Sequence, residues 1–501
     1  MIIVLRRAVC AVVLLASPVY SLTAKGDSGP PYPAGPSVFV PFVNAAQLGN
    51  PTQYVSPQIM VGFNNPNATG TNPVFSVTMD TGSVGIIVGS AYFTPPASGR
   101  LDPSFIGPGS ETLTSSGIIF VGDWYETIVN LYSGNTIVAR STVPVMAVTN
   151  VSCEQGARVC NPSTIGATAP GTHYFGIGFS GGTGQPQGTP DKNAFLNVTS
   201  IPGSGLLPSP GYVLSTQGVQ IGLTSGNTQG FALIKLQPLL APDSSQWQTA
   251  PASPNVLTDW QHARGTIMVN GRSGTGSILF DTGVTTGFLT PPIGVTLQTG
   301  AGPSGAECNG STPPTCAVTG TGVRVAFSTL TNPVASLTYA VGPNNGAQNG
   351  NPVSPLAVSI EYNGAPFLNT TVRFLQAFNY MYDAANGFIG LRKTGGTPAQ
   401  YASSMPSGLA VDGVFQCFFL AAGAILDSPF NTLGFQPTRY GWPYTYRYNA
   451  INNTYLAISS GSPASGNTPA TSANTVYILG PNGKSTSEGA LVDWLTAAGC
   501  Q

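Results

Sequence analysis

Charged side chains are scarce in this chain. Asp, Glu, Lys and Arg supply 7% of its 501 residues, against about 25% in ordinary soluble proteins. The 17 basic and 18 acidic residues nearly cancel, leaving a net charge of −1. No basic stripe exists to displace counterions from a phosphate backbone, which argues against nucleic-acid binding. No polybasic cluster points to an anionic membrane surface. Histidine occurs only twice, as His173 and His262. That argues against a His-rich metal site and leaves two candidate bases for any Ser-His-Asp arrangement. Few stretches show helical periodicity over three turns, and no apolar run is long enough to span a bilayer.

What fills the chain instead is 42% hydrophobic residues, 63 Gly and 44 Pro. Low charge with so much apolar content is not the composition of a disordered chain. It predicts a turn-rich all-β protein with a Ser/Thr/Asn/Gly surface. Short β-rich runs recur from Val38 onward: Val38 to Val43, Phe75 to Met79, Ile118 to Val121, Thr127 to Leu131 and Thr142 to Val148. The pattern continues at Thr266 to Val269, Ser277 to Phe280, Val323 to Phe327 and Ala357 to Tyr362.

The N-terminus has the composition of an export signal: Arg6 and Arg7, then the apolar run Ala8 to Ala16, then small residues. Val19/Ser21 or Leu22/Ala24 are the possible cleavage positions. The predicted layout is a signal peptide at 1–24 and a Pro/Gly linker at 25–36. Lobes at 37–210 and 211–395, a linker at 396–406 and a small domain at 407–501 follow. The expected location is secreted, periplasmic or extracellular. Seven cysteines minus Cys10 leave six, which allow 15 pairings. Export favours disulfides over metal ligation, and the spacings lack a CxxC form. Proximity pairs Cys153 with Cys160 and Cys308 with Cys316, leaving Cys417 with Cys500. The last pair brackets the final domain, where Val414 to Leu426 and Ala490 to Ala498 read as helices. Tyr444 to Tyr448, Thr454 to Ile458 and Thr475 to Leu479 read as strands there.

One internal repeat carries chemistry. Phe75-Ser-Val-Thr-Met-Asp80-Thr81-Gly82-Ser83 is matched 201 residues later by Gly276-Ser-Ile-Leu-Phe-Asp281-Thr282-Gly283-Val284. Each copy is a strand, an Asp-Thr-Gly turn and another apolar run. Two nearby carboxylates share a proton, so one serves as base while the other serves as acid. A lone Asp-Thr-Gly is usually an ordinary turn; two in matched contexts a lobe apart point to a dyad.

With these motifs the sequence resembles the pepsin-like aspartic peptidases. Two further landmarks extend the likeness: Tyr174-Phe-Gly-Ile-Gly-Phe179, and the closing Phe374 to Leu391 with its Asp383-Ala-Ala-Asn386 turn. The resemblance covers about residues 40–395. It implies a bilobal all-β fold with an active cleft between the lobes, and a small β-rich domain follows. It also implies hydrolysis of an extended polypeptide at acidic pH, with no metal or organic cofactor and a monomeric enzyme. Asp80 and Asp281 match the catalytic pair, Thr81 and Thr282 the threonines that lock the two loops. Gly82 and Gly283 match the turn glycines, and Ser83 matches the hydroxyl that hydrogen-bonds the first aspartate.

The sequence departs from that pattern at three places. Val284 stands where the family has Ser or Thr, so Asp281 is expected to lose a donor, with a raised pKa and weaker orientation. Thr285 could replace it only if the loop shifted. The flap over the cleft falls on Thr114, Ser115, Ser116 and Gly117, with Thr114 in place of a tyrosine. Ile87 stands where an aromatic residue is expected, leaving Trp124 or Tyr125 as nearby rings. These departures motivate the alternative of a catalytically weak or inactive binding protein on the same fold, with a protein or glycan ligand. The segment before Val38 is short and poor in Lys and Arg, unlike a basic inhibitory prosegment.

Other motifs are weaker. Gly178-Phe179-Ser180-Gly181-Gly182 fits GxSxG, but glycines break the helix that motif requires. Gly176 to Gly181 fits GxGxxG without a following helix. A glycosidase carboxylate pair is disfavoured by the Asp-Thr-Gly context. The six Asn-x-Ser/Thr sequons, at Asn67, Asn150, Asn197, Asn309, Asn369 and Asn452, also arise by chance in such a composition. The tyrosines at 444, 446, 448 and 455 read as strand positions in preference to a glycan platform.

Overall fold

A computed structural model describes residues 30–64, 72–155, 157, 160, 170–180, 188–239, 257–310, 313–328, 333–362 and 364–394. It also gives the backbone of 444–449, 454–459 and 475–479. The expected signal peptide, the linker at 396–406, the helices at 414–426 and 490–498, and Cys417 and Cys500 lie outside those residues. The described residues are built almost entirely of strands, as the composition predicted, in the bilobal arrangement that the resemblance implied. No described helix is long and apolar enough to cross a membrane.

The strand bearing the first aspartate, Val74–Asp80, shows how the local sequence makes the fold. Phe75, Val77 and Met79 are buried and alternate with Ser76 and Thr78, the two-residue period of a strand with one covered face. The next strand, Val84–Val88, is buried at every residue, because sheet and core cover both its faces. These strands belong to an eight-stranded sheet. Its order is Phe105–Leu113, Ile118–Ser133, Gln58–Asn64, Val74–Asp80, His173–Ile177, Val84–Val88, Thr136–Cys153, Val198–Ser200.

The second aspartate sits at the end of Arg272–Leu279 in a nine-stranded sheet. That sheet is ordered Thr299–Gly300, Cys316–Ala317, Ala357–Ile360, Thr286–Thr290, Phe367–Asn369, Arg272–Leu279, Ala263–Val269, Gly322–Ser328, Pro333–Ala340. The topology around both aspartates is the same. In the first lobe, His173–Ile177 lies between the strands before and after the Asp loop, parallel to the first and antiparallel to the second. In the second lobe, Phe367–Asn369 lies the same way between Arg272–Leu279 and Thr286–Thr290.

A six-stranded sheet joins the chain ends of the two lobes. It runs Val38–Pro41, Gly218–Ile221, Gly211–Leu214, Phe378–Asp383, Phe388–Lys393, Ala232–Lys235. The Asp383-to-Asn386 turn closes its hairpin: the Asp383 Oδ1 accepts the Asn386 N–H at 3.0 Å, and Tyr32 donates to Oδ2 at 2.9 Å. One main core runs through all three sheets, from Val40 and Val77 to Phe280, Phe374 and Ile389.

One sequence expectation needs correction here. The runs Ile118 to Val121 and Thr127 to Leu131 are not separate strands but one, Ile118–Ser133, paired along its length with Thr136–Cys153. Register shifts at Val121/Gly122 and Leu131/Tyr132 bend this hairpin, and the local irregularity interrupted the alternation that marks a strand in sequence. The disulfides Cys153–Cys160 and Cys308–Cys316 are formed as proximity suggested. In the last segment the three strand expectations coincide with Tyr444–Asn449, Thr454–Ser459 and Thr475–Leu479, which pair in that order as an antiparallel sheet.

Candidate active site

Two short loops follow the two Asp-bearing strands and meet head to head. Thr81 N–H donates to the Thr282 Oγ1 at 3.0 Å, and Thr282 N–H donates to the Thr81 Oγ1 at 2.9 Å. Each hydroxyl then donates onward to a carbonyl of the opposite lobe: Thr81 to Phe280 at 2.6 Å and Thr282 to Met79 at 3.0 Å. Both threonines are buried, at 3% and 0% exposure, so every one of these groups needs its partner.

That lock sets the two carboxyl groups face to face. A Cβ on Gly82 would sit 2.5 Å from the Asp281 carboxyl carbon, and one on Gly283 would sit 2.5 Å from that of Asp80. Only glycine lets each turn pass this close to the opposing carboxylate. The glycine amides also hold their own aspartates: Gly82 N–H donates to Asp80 Oδ1 and Gly283 N–H to Asp281 Oδ1, both at 2.7 Å.

Further donors reach the outer oxygens. Asp80 Oδ2 accepts from the Ser83 hydroxyl at 2.5 Å and from the Tyr174 hydroxyl at 2.9 Å. Asp281 Oδ2 accepts from Asn369 Nδ2 at 2.6 Å. The amide of Asn369 is oriented by its other end, since its Oδ1 accepts the Thr371 N–H at 2.9 Å. Burial raises the Asp281 carboxyl well above the usual range, and the Asp80 charge and a hydrogen bond with Asp80 add to the shift. Asn369 and the Gly283 amide oppose it. The Tyr174 phenol is likewise pushed up, by burial first and then by the two aspartates.

The dyad opens into a cavity of about 140 Å³. Leu279, Val284, Phe288 and Phe367 form apolar walls, and Leu113, Thr114 and Ser115 reach it from the hairpin above. In that hairpin turn, the Leu113 carbonyl accepts the N–H groups of Ser116 at 3.1 Å and Gly117 at 2.7 Å. Gly117 takes a left-handed φ of 71°. The turn is tied from behind as well: Cys160 N–H donates to the Ser116 carbonyl and Glu154 N–H to that of Gly117. The Cys153–Cys160 disulfide closes this backing loop.

The structure thus brings together Asp80, Thr81, Gly82, Ser83, Asp281, Thr282 and Gly283, with Thr114 and Ser115 across the cavity. The Asp281 carboxyl is raised, as expected, through burial and the Asp80 charge, but two expectations about replacements fail. Asp281 does not lack a side-chain donor, because Asn369 supplies one from a strand 88 residues further on. Neither Trp124 nor Tyr125 supplies a ring to the cleft. Trp124 is buried with Ile87, Phe120 and Met146, and Tyr125 packs on Phe93 and Phe105. The aromatic group at the dyad is Tyr174, paired in register with Ile87 on the adjacent strand. The signal that could have found Tyr174 and Asn369 was the strand register around each aspartate, which depends on which later strands fold back. His173 turns its Nδ1 to the Gly171 carbonyl at 2.8 Å, and His262 packs against the rings of Phe179 and Phe367.

No protein-family model matches the sequence, and no curated protein matches it. Among solved structures, the chain is similar to the aspartic proteinase from Irpex lacteus. The identity is 15% and the TM-score 0.38, over 73% of this chain and 99% of that one.

Proposed function

We propose that this chain is an exported aspartic endopeptidase that hydrolyses peptide bonds with the Asp80–Asp281 dyad at acidic pH. The observation that carries this is the meeting of two buried carboxyl groups across matched Asp-Thr-Gly loops, one of them strongly biased toward its protonated form. Asp80, the carboxylate, takes a proton from the attacking water. Asp281 gives its proton to the peptide carbonyl oxygen, so a neutral tetrahedral diol forms. Proton return to the amide nitrogen then breaks the C–N bond.

An extended peptide would lie along the cleft that Thr114, Ser115, Phe288 and Phe367 line. Phe105–Leu113 is an edge strand of its sheet, which suits backbone pairing with a substrate strand. The reaction as written needs no metal or organic cofactor.

The test is hydrolysis of a denatured protein between pH 2.5 and 7 by the mature chain beside Asp80→Asn and Asp281→Asn. Acid-range cleavage by the native chain, lost in both variants, is the expected result. A folded native chain that cleaves nothing at any pH would overturn it and favour a binding protein on this fold, for which the Thr114 flap is the motivating feature.

A further inference from the structure

Tyr174 and Asn369 occupy matching places in the two lobes. Tyr174 lies opposite Ile87 on the strand that follows Asp80. Asn369 lies opposite Phe288 on the strand that follows Asp281. Ile87 and Phe288 are each the seventh residue after their aspartate. Both side chains donate to the Oδ2 of their own lobe's aspartate. The two sites differ in the remaining donor: Ser83 reaches Asp80 Oδ2, and the matching residue beside Asp281 is Val284.

We propose that Tyr174 and Asn369 are a pseudo-twofold pair of positioning residues, and that their unequal surroundings place the shared proton on Asp281. Among the described residues, Asp80 takes three donors, from Gly82, Ser83 and Tyr174, while Asp281 takes those of Gly283 and Asn369. More donors favour the ionised form, so Asp80 is the carboxylate and Asp281 the acid. Asn369 compensates for the hydroxyl that Val284 lacks, and so keeps the Asp281 carboxyl in the plane facing Asp80. Its own geometry is held at some conformational cost. Thr371, which orients the Asn369 amide, has φ 62° and ψ 177°, a region β-branched residues rarely enter. The other titratable groups around the pair are Glu361 on the cleft wall, Glu307, whose charge is felt at Tyr174, and Tyr212, which feels Asp80.

The assignment rests on the peptidase reading for its kinetic arm, and gives each residue a separate signature. Tyr174→Phe removes one donor from the carboxyl pair, and is expected to move the acid limb of the pH–rate profile upward while leaving the alkaline limb in place. Asp281 ionises only at the alkaline limb, so Asn369→Leu raises that limb. Adding Val284→Ser to Asn369→Leu supplies a hydroxyl at the position matching Ser83 and brings the alkaline limb back. A purely structural role would lower activity at all pH values and move neither limb, and that outcome overturns the proposal. Carboxyl carbon NMR titration of aspartate-labelled protein reads the same shifts without turnover. If the native chain shows no cleavage but the titrations shift as described, the peptidase reading fails while the positioning pair stands. If cleavage is present and neither limb nor carboxyl titration moves, the pair fails alone.

Discussion

Thr81 and Thr282 exchange hydrogen bonds between backbone N–H and side-chain hydroxyl in both directions, at 3.0 and 2.9 Å, across the junction of the two lobes. The exchange needs the hydroxyl as acceptor and as onward donor, so shape alone cannot replace it. Thr282→Val, close in volume, strands the buried Thr81 N–H and the Met79 carbonyl. It is expected to lower stability by about 2 kcal/mol in denaturant unfolding and to reduce activity further by loosening the dyad. Thr282→Ser keeps the hydroxyl and should remain near the native chain in both measurements.

A methyl group is expected to be enough to damage the dyad. Gly82→Ala places its Cβ against the Asp281 carboxyl, and Gly283→Ala does the same to Asp80. The carboxyl groups must separate by about an ångström, which costs roughly 100-fold in kcat. Circular dichroism should show an unchanged β content, since neither change touches the sheets.

The flap turn depends on its backing loop. The Cys153–Cys160 disulfide holds the segment whose amides bind the Ser116 and Gly117 carbonyls. A Cys153→Ser/Cys160→Ser variant is expected to lose about 2 kcal/mol of stability. It should also raise KM more than it lowers kcat, because Thr114 and Ser115 line the cavity where the proposed substrate would lie while the dyad is on other loops. Equal KM in variant and native chain would count against the flap assignment.

Glu111 should make the protein less stable toward alkaline pH. Its side chain is fully buried on the flap strand, its two oxygens have no hydrogen-bond partner, and burial raises its pKa from 4.5 to about 8 against the opposing charge of Lys192. A raised carboxyl pKa means the native state binds the proton more tightly than the unfolded chain. The contribution is therefore complete below about pH 4.5 and is lost as pH rises through 8. Glu111→Gln removes the dependence. It should be more stable than the native chain by about 3 kcal/mol at pH 7 and equal to it at pH 4. Thermal unfolding at the two pH values distinguishes the outcomes.

His262 gives the opposite slope. Burial lowers its pKa from 6.5 to about 4, so the unfolded chain takes up a proton that the native state resists. Stability from this residue is present above pH 6.5 and falls as pH drops through 4. His262→Phe is expected to remove this acid loss, read as a smaller fall in unfolding midpoint between pH 7 and pH 4 than in the native chain.

The sequence by itself determined the fold class and the two aspartates. Strand periods around Phe75 to Met79 and Ser277 to Phe280, each ending in Asp-Thr-Gly, are local patterns that survive folding unchanged. Both short-range cysteine pairs were legible for the same reason, since partners seven and eight residues apart leave little choice. Only the tertiary structure decided how the aspartates are held. Tyr174 and Asn369 lie 94 and 88 residues from the carboxylates they contact, on strands whose insertion between two others follows from packing rather than sequence proximity. For the same reason the missing hydroxyl at Val284 reads as a defect in one dimension. In three dimensions a different strand delivers a different donor to the same oxygen.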